Sequence, residues 1–159
     1  MNASERAAGV VKALLLASNV DVGQLKSSFS VRLESQKKIF LLQLHPELTD
    51  KLGFRYNLYV RGPYSPDLAR IYYDLEAVQP AQFRFSEDAL AYIKEIASLK
   101  NPELVLLSTV FSVLEYANDV NQDTIVDTVR NLKPEYSSDE VKHALAKARE
   151  LRKRFDLPV

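Results

Sequence analysis

Apolar residues recur at helical spacing along most of the chain. Ala7, Val10, Val11, Leu14 and Leu15 share one face of a helix predicted from about Glu5 to Ser18, with Ser4 as its candidate N-cap. Residues 19–30 hold scattered apolar positions (Val20, Val22, Leu25, Phe29) and predict a short helix or an irregular packed turn. A second helix is expected over Val31–His45, capped by Ser30 and stopped by Pro46. Leu33, Phe40 and Leu44 mark one face, widened by Ile39, Leu41 and Leu42. The period then changes to two. Phe54, Tyr56, Leu58 and Val60 alternate with Arg55, Asn57 and Tyr59, the pattern of a half-buried strand. Phe83-Arg84-Phe85 is the candidate partner of that strand.

Helix starts are signalled by local chemistry. Ser65-Pro66-Asp67 combines a capping hydroxyl, a proline at the first helical position and an acid near the positive end. Leu68, Ile71, Tyr72 and Leu75 follow at i, i+3, i+4, i+7. Ser86-Glu87-Asp88 opens another helix with Leu90, Ile93, Ile96 and Ala97 inward. The helix from Asn101-Pro102-Glu103 is apolar on nearly every side and is expected at the centre of the core. Helices near Gln122–Leu132 and Ser138–Phe155 close the chain, the last with a capping box from Ser137 to Glu140. These seven helices and a two-stranded ribbon predict a mainly α (α+β) fold over residues 1–159. The ribbon and Gly-Pro turn fall at 54–66 and a C-terminal helix pair at 121–155, with a winged-helix-like arrangement as an open variant.

Composition narrows the classes. The length of 159 residues suits one core without a staple. Zero Cys excludes a disulfide framework, a Cys-type zinc site and a thiol nucleophile. The longest early apolar run, Ala13–Ala17, is too short for a signal or a membrane span, so a soluble cytoplasmic protein is expected, with no membrane partner. Net charge is zero, but it is segregated: residues 26–70 carry +4, residues 71–127 carry −7 and residues 128–159 carry +3.

Catalytic signals are weak. Two histidines, His45 and His143, have no metal-ligand spacing, and His45 reads as a helix C-terminal residue near the negative dipole end. No Gly-rich nucleotide loop and no G-x-S-x-G elbow occur. No catalytic residue, metal or cofactor is therefore expected, and an enzyme is the less favoured class. Two surfaces stand out instead. Tyr56, Tyr59, Arg61, Tyr64, Tyr72 and Tyr73 fall within eighteen residues. Inward packing accounts for Tyr56 and Tyr72, while Tyr59, Arg61, Gly62, Pro63, Tyr64 and Tyr73 are candidates for contact with a protein partner. In the last helix Lys142, Ala146, Arg149 and Lys153 line up opposite the buried face Val141, Ala144, Leu145, Ala148 and Leu151. Lys142, Arg149 and Lys153 are the candidates for phosphate contact in a helix-turn-helix, set against the plainer reading of a solvated, mixed-charge face.

Three segments, Lys37-Lys38-Ile39-Phe40-Leu41-Leu42-Gln43, Phe54–Tyr59 and Gly62-Pro63-Tyr64-Ser65-Pro66-Asp67-Leu68, resemble the YwgA-like prokaryotic proteins, a group related to the Panacea (SocA-like) antitoxin domain. The likeness covers about residues 30–78. It implies toxin neutralisation or client presentation, hence a non-enzymatic protein-interaction module of antitoxin or adaptor type with a toxin or client as partner. The alternative is a winged-helix-like nucleic-acid-binding regulator, and a homodimer stays open in either case.

Overall fold

The computed structural model describes residues 3–59, 62–82, 84–117 and 120–159, with the backbone alone at residues 3, 4 and 59. Among them are eight α-helices and one antiparallel hairpin. The first helix, α1 (Ala3–Ala17), starts before Ser4, so Ser4 lies inside it. After it, residues 19–30 form a 3₁₀ turn at Val22–Gln24, capped by Asp21, and then enter α2 (Phe29–Gln43). Its cap is Ser28, whose hydroxyl accepts from Val31 N–H; the expected cap Ser30 is one of the first helical residues.

Pro46 begins a helix that the spacing did not predict, α3 (Pro46–Leu52), ended by Gly53 in the left-handed region at φ 66°. This corrects the placement of His45. It is buried, and its Nδ1 accepts Glu47 N–H at 3.1 Å, making it the N-cap of α3 rather than the last residue of α2. The ring proton is therefore on Nε2, which donates to Asp88 Oδ2 at 2.8 Å.

The ribbon pairs β1 (Asn57–Tyr59) with β2 (Gly62–Tyr64). The expected partner strand at 83–85 is corrected: Arg84 and Phe85 belong to no strand, and Phe83 lies outside the described residues. The turn residues supplied the partner strand, because Gly62 at φ 89° lets the chain reverse at once. Next come α4 (Pro66–Ile71), continued as a 3₁₀ helix over Tyr72–Ala77, then α5 (Glu87–Ala97) and α6 (Asn101–Ala117). The chain ends with α7 (Gln122–Leu132) and α8 (Ser138–Phe155). The caps Ser65 and Ser86 and the Ser137–Glu140 capping box form as the sequence predicts.

Two helices share the centre. α6 buries Leu104 and all of 106–114, as expected of a helix apolar on every side. α2 buries every residue from Ser35 to Leu42 and packs on α6. α1, α3 and α5 pack around α2, and α7 and α8 around α6, while β2 lies on both central helices. Several polar groups in this interior find partners nearby. Thr109 and Ser108 hydroxyls donate to Val105 O of their own helix. Lys38 is 1% exposed, yet its ammonium donates to Ser18 O just past α1 and to Ala97 O at the end of α5, and pairs with Glu34. A cation there suits the negative ends of both helices and satisfies carbonyls that helix termini leave free. Tyr92 is fully buried, stacks edge-on to Phe155 and donates to Leu41 O, joining α5, α8 and α2.

Candidate functional site

Two consecutive residues of α2 hold the ribbon and the turn after it. Gln36 Nε2 donates to Ser65 O at 2.9 Å, and its Oε1 accepts Ser65 N–H at 2.8 Å. The side-chain amide thus pairs with the Ser65 backbone as a neighbouring strand would. Lys37 Nζ donates to Pro63 O at 2.7 Å. Gly62 closes against the same lysine: a Cβ there would lie 3.1 Å from Thr109 Oγ1 and 3.4 Å from Lys37 Cε. The positive φ and the close approach both require glycine. Ser65, fixed by Gln36, then caps α4 through Leu68 N–H. The Lys37–Gln43 and Gly62–Leu68 segments, distant in sequence, are therefore one structural unit.

Lys37 is 1% exposed, and among the described residues its ammonium has Pro63 O as its hydrogen-bond partner and no carboxylate. Burial, with added repulsion from Lys133 after α7, pulls its pKa from 10.5 down to about 7. Lys37 and Lys133, one from each basic stretch of the chain, are both buried.

Beside this unit lies an open groove of about 490 Å³ between α2, β2 and the α4–3₁₀ segment. Its floor and walls include Leu33, Gln36, Lys37, Gly62 and Ala69. Its aromatic lining is Phe29, Tyr64, Tyr72 and Tyr73. Phe29, Tyr64 and Tyr73 are 52%, 37% and 60% exposed, three large side chains left in water around a single concavity. Tyr72 is buried, and its hydroxyl has no hydrogen-bond partner among the described residues. Burial pushes that phenol well above its usual range. A second depression of about 420 Å³ lies across the ribbon, against Phe40, Tyr56, Leu58, Pro63 and Tyr116. A third, of about 760 Å³, lies between α6 and α8 and is rimmed by Glu103, Asp139, Glu140 and His143.

The candidate contact residues separate accordingly. Tyr64 and Tyr73 stand on the aromatic groove. Gly62 and Pro63 are buried, which corrects their role: they shape the turn and wall the two grooves instead of offering exposed side chains. Arg61 and the Tyr59 side chain lie outside the described residues. Tyr56 packs its ring on Phe40 at 5.1 Å, and its buried hydroxyl has no hydrogen-bond partner among the described residues. On α8, Lys142 and Lys153 are exposed, while Arg149 donates to Gln122 Oε1 of α7 at 3.2 Å. Lys147 and Arg154 of that helix are held by Glu95 of α5, at 3.1 and 2.7 Å, and both bonds keep the Glu95 carboxyl below its usual range.

Residue spacing does not single out Arg32, Gln36 and Lys37 as groove and turn residues. A signal for Lys37 was present: Leu33, Lys37, Phe40 and Leu44 run at i, i+4, i+7, i+11, so the lysine sits within the apolar stripe. Among the described residues no three His, Cys, Asp or Glu side chains converge to hold a metal ion, and no helix is long and apolar enough to cross a membrane. No family model, no curated protein and no solved structure matches the chain.

Proposed function

We propose that this protein is a non-enzymatic interaction module of antitoxin or adaptor type, and that the aromatic groove beside the ribbon is the face it offers to a partner protein. The observation that carries this reading is the grouping of Phe29, Tyr64 and Tyr73, all exposed, around one groove whose wall is fixed by Gln36 and Lys37. Aromatic side chains of this kind bury large area at low entropic cost and dominate binding energy at interfaces. The likeness of the Lys37–Gln43 and Gly62–Leu68 segments to Panacea-related proteins supports the same class, because these two segments build the groove wall together. A nucleic-acid role has less surface to work with, since Arg149 is engaged with Gln122 and Lys147 and Arg154 with Glu95.

The test is affinity capture with the wild type and with Tyr64→Ser/Tyr73→Ser, followed by direct titration of any purified protein that only the wild type retains. The double variant should keep its thermal stability and lose at least about tenfold in affinity, since interface aromatics of this kind carry more than 1.4 kcal/mol. Identical capture by both proteins would remove the groove as the partner site.

A further inference from the structure

We infer that the groove accepts a partner segment in which an acidic side chain lies beside a bulky apolar one, the carboxylate meeting Arg32 and the Tyr72 hydroxyl and the apolar group resting against Phe29 and Tyr73. This rests on the interaction-module reading and narrows it to one chemistry.

The described lining of the groove holds two basic side chains, Arg32 and Lys37, and no acid, in a chain whose acids and bases are equal in number. Its uncommitted polar groups are donors. Among the described residues Arg32 uses Nη1 alone, toward Leu25 O at 3.0 Å and Lys26 O at 3.2 Å, which leaves Nε and Nη2 for another acceptor. The Tyr72 hydroxyl, on a side chain 3% exposed, has no partner among the described residues. Tyr72 lines the groove together with Arg32 and Tyr64. A buried donor left unmatched is costly, and a ligand acceptor removes that cost on binding. A carboxylate offers two acceptor oxygens, suited to a guanidinium edge and a phenol together.

The apolar half follows from the rim. Phe29 and Tyr73 are half or more exposed, so part of their area reaches beyond the cavity. A free aromatic acid would leave that area wet, whereas a peptide segment continues across it. The volume of about 490 Å³ suits an anchor side chain and its acidic neighbour.

The test selects random dodecapeptides displayed on phage against the full-length protein, with Phe29→Ser/Tyr73→Ser as the counter-target. Enriched peptides are synthesised with their acid intact and as the amide, and titrated against wild type and Tyr72→Phe. Tyr72→Phe removes one unpartnered oxygen and leaves the packing in place, so folding is secure; Arg32→Gln is the second variant. The expected result is a motif pairing Asp or Glu with Leu, Phe, Tyr or Trp within two residues. Binding should weaken about fivefold or more on Tyr72→Phe, and the acid and amide peptides should bind Tyr72→Phe and Arg32→Gln with a smaller difference than they bind wild type. Enrichment of apolar or basic peptides, or acidic peptides whose affinity is the same for wild type and both variants, would overturn the carboxylate inference and leave the interaction reading standing. No enrichment over the counter-target would overturn both.

Discussion

Replacing Lys37 with Met should stabilise the protein at neutral pH, by an amount that falls as pH rises. The side chain is 1% exposed on α2 and reaches Pro63 O; Gly62, Thr109 and Lys133 surround it, and none of these is an acid. The unfolded chain holds the Lys37 proton up to 10.5, whereas the folded protein releases it near 7. Between these values the unfolded state binds more protons, so this group makes stability rise with pH, at most about 1.4 kcal/mol per pH unit. The penalty is whole below the folded value, about 5 kcal/mol, and is about 4 kcal/mol at pH 7 and about 2 kcal/mol at pH 9. Met has a similar unbranched stem but leaves Pro63 O unpaired, which costs about 1–3 kcal/mol at every pH. The net gain for Lys37→Met is then about 2 kcal/mol at pH 7 and near zero at pH 9. Urea unfolding followed by far-ultraviolet circular dichroism across that pH range measures it, and titrating groups that do not act on Lys37 cancel in the difference between the two proteins. A stability difference that does not move with pH, or a variant much less stable at pH 7, would refute the buried-cation argument.

Gln36→Leu should cost about 1–3 kcal/mol, because it leaves Ser65 N–H unpaired at a buried position while Ser65 O still accepts Ala69 N–H, and the loss should appear as a lower urea midpoint. Gly62→Ala should cost about 1–3 kcal/mol from the positive φ, with more from the approach to Thr109; a thermal midpoint equal to wild type would contradict the turn geometry. Tyr56→Phe removes a buried hydroxyl with no partner among the described residues, so calorimetry should show stability unchanged or up to about 1 kcal/mol higher, and a clear loss would reveal a hydrogen bond at that oxygen.

Helix existence was legible wherever the signal was local. The caps Ser65, Ser86 and Ser137 act on backbone N–H groups three residues away, so the residues that make each cap are adjacent in the sequence. The all-round apolar pattern of α6 announced its burial for the same reason. The missed α3 shows where this fails. Pro46 both stops one helix and starts another, and what selects the second outcome is His45 turning its ring nitrogen onto Glu47 N–H while Asp88 holds the other side. Asp88 is 43 residues away.

The aromatic cluster was visible in the residues between Tyr56 and Tyr73, and Tyr64 and Tyr73 were named from it; the groove was not. Its other wall is α2, and Arg32, Gln36 and Lys37 read as ordinary polar positions until β2 is laid against them. Residues 26–70 carry a net charge of +4, with no sign in the sequence of where each charge lies. Folding puts Lys37 and Lys38 inside, each 1% exposed, one holding a strand carbonyl and the other two helix ends. The order of elements and their caps follow from interactions a few residues long, which periodicity and turn chemistry express directly. The partner of β1, the roles of His45, Lys37 and Lys38, and the joining of Tyr64 and Tyr73 with Arg32 and Phe29 depend on contacts between distant segments. Whether a charge is solvated or buried is a property of those contacts and not of the charge.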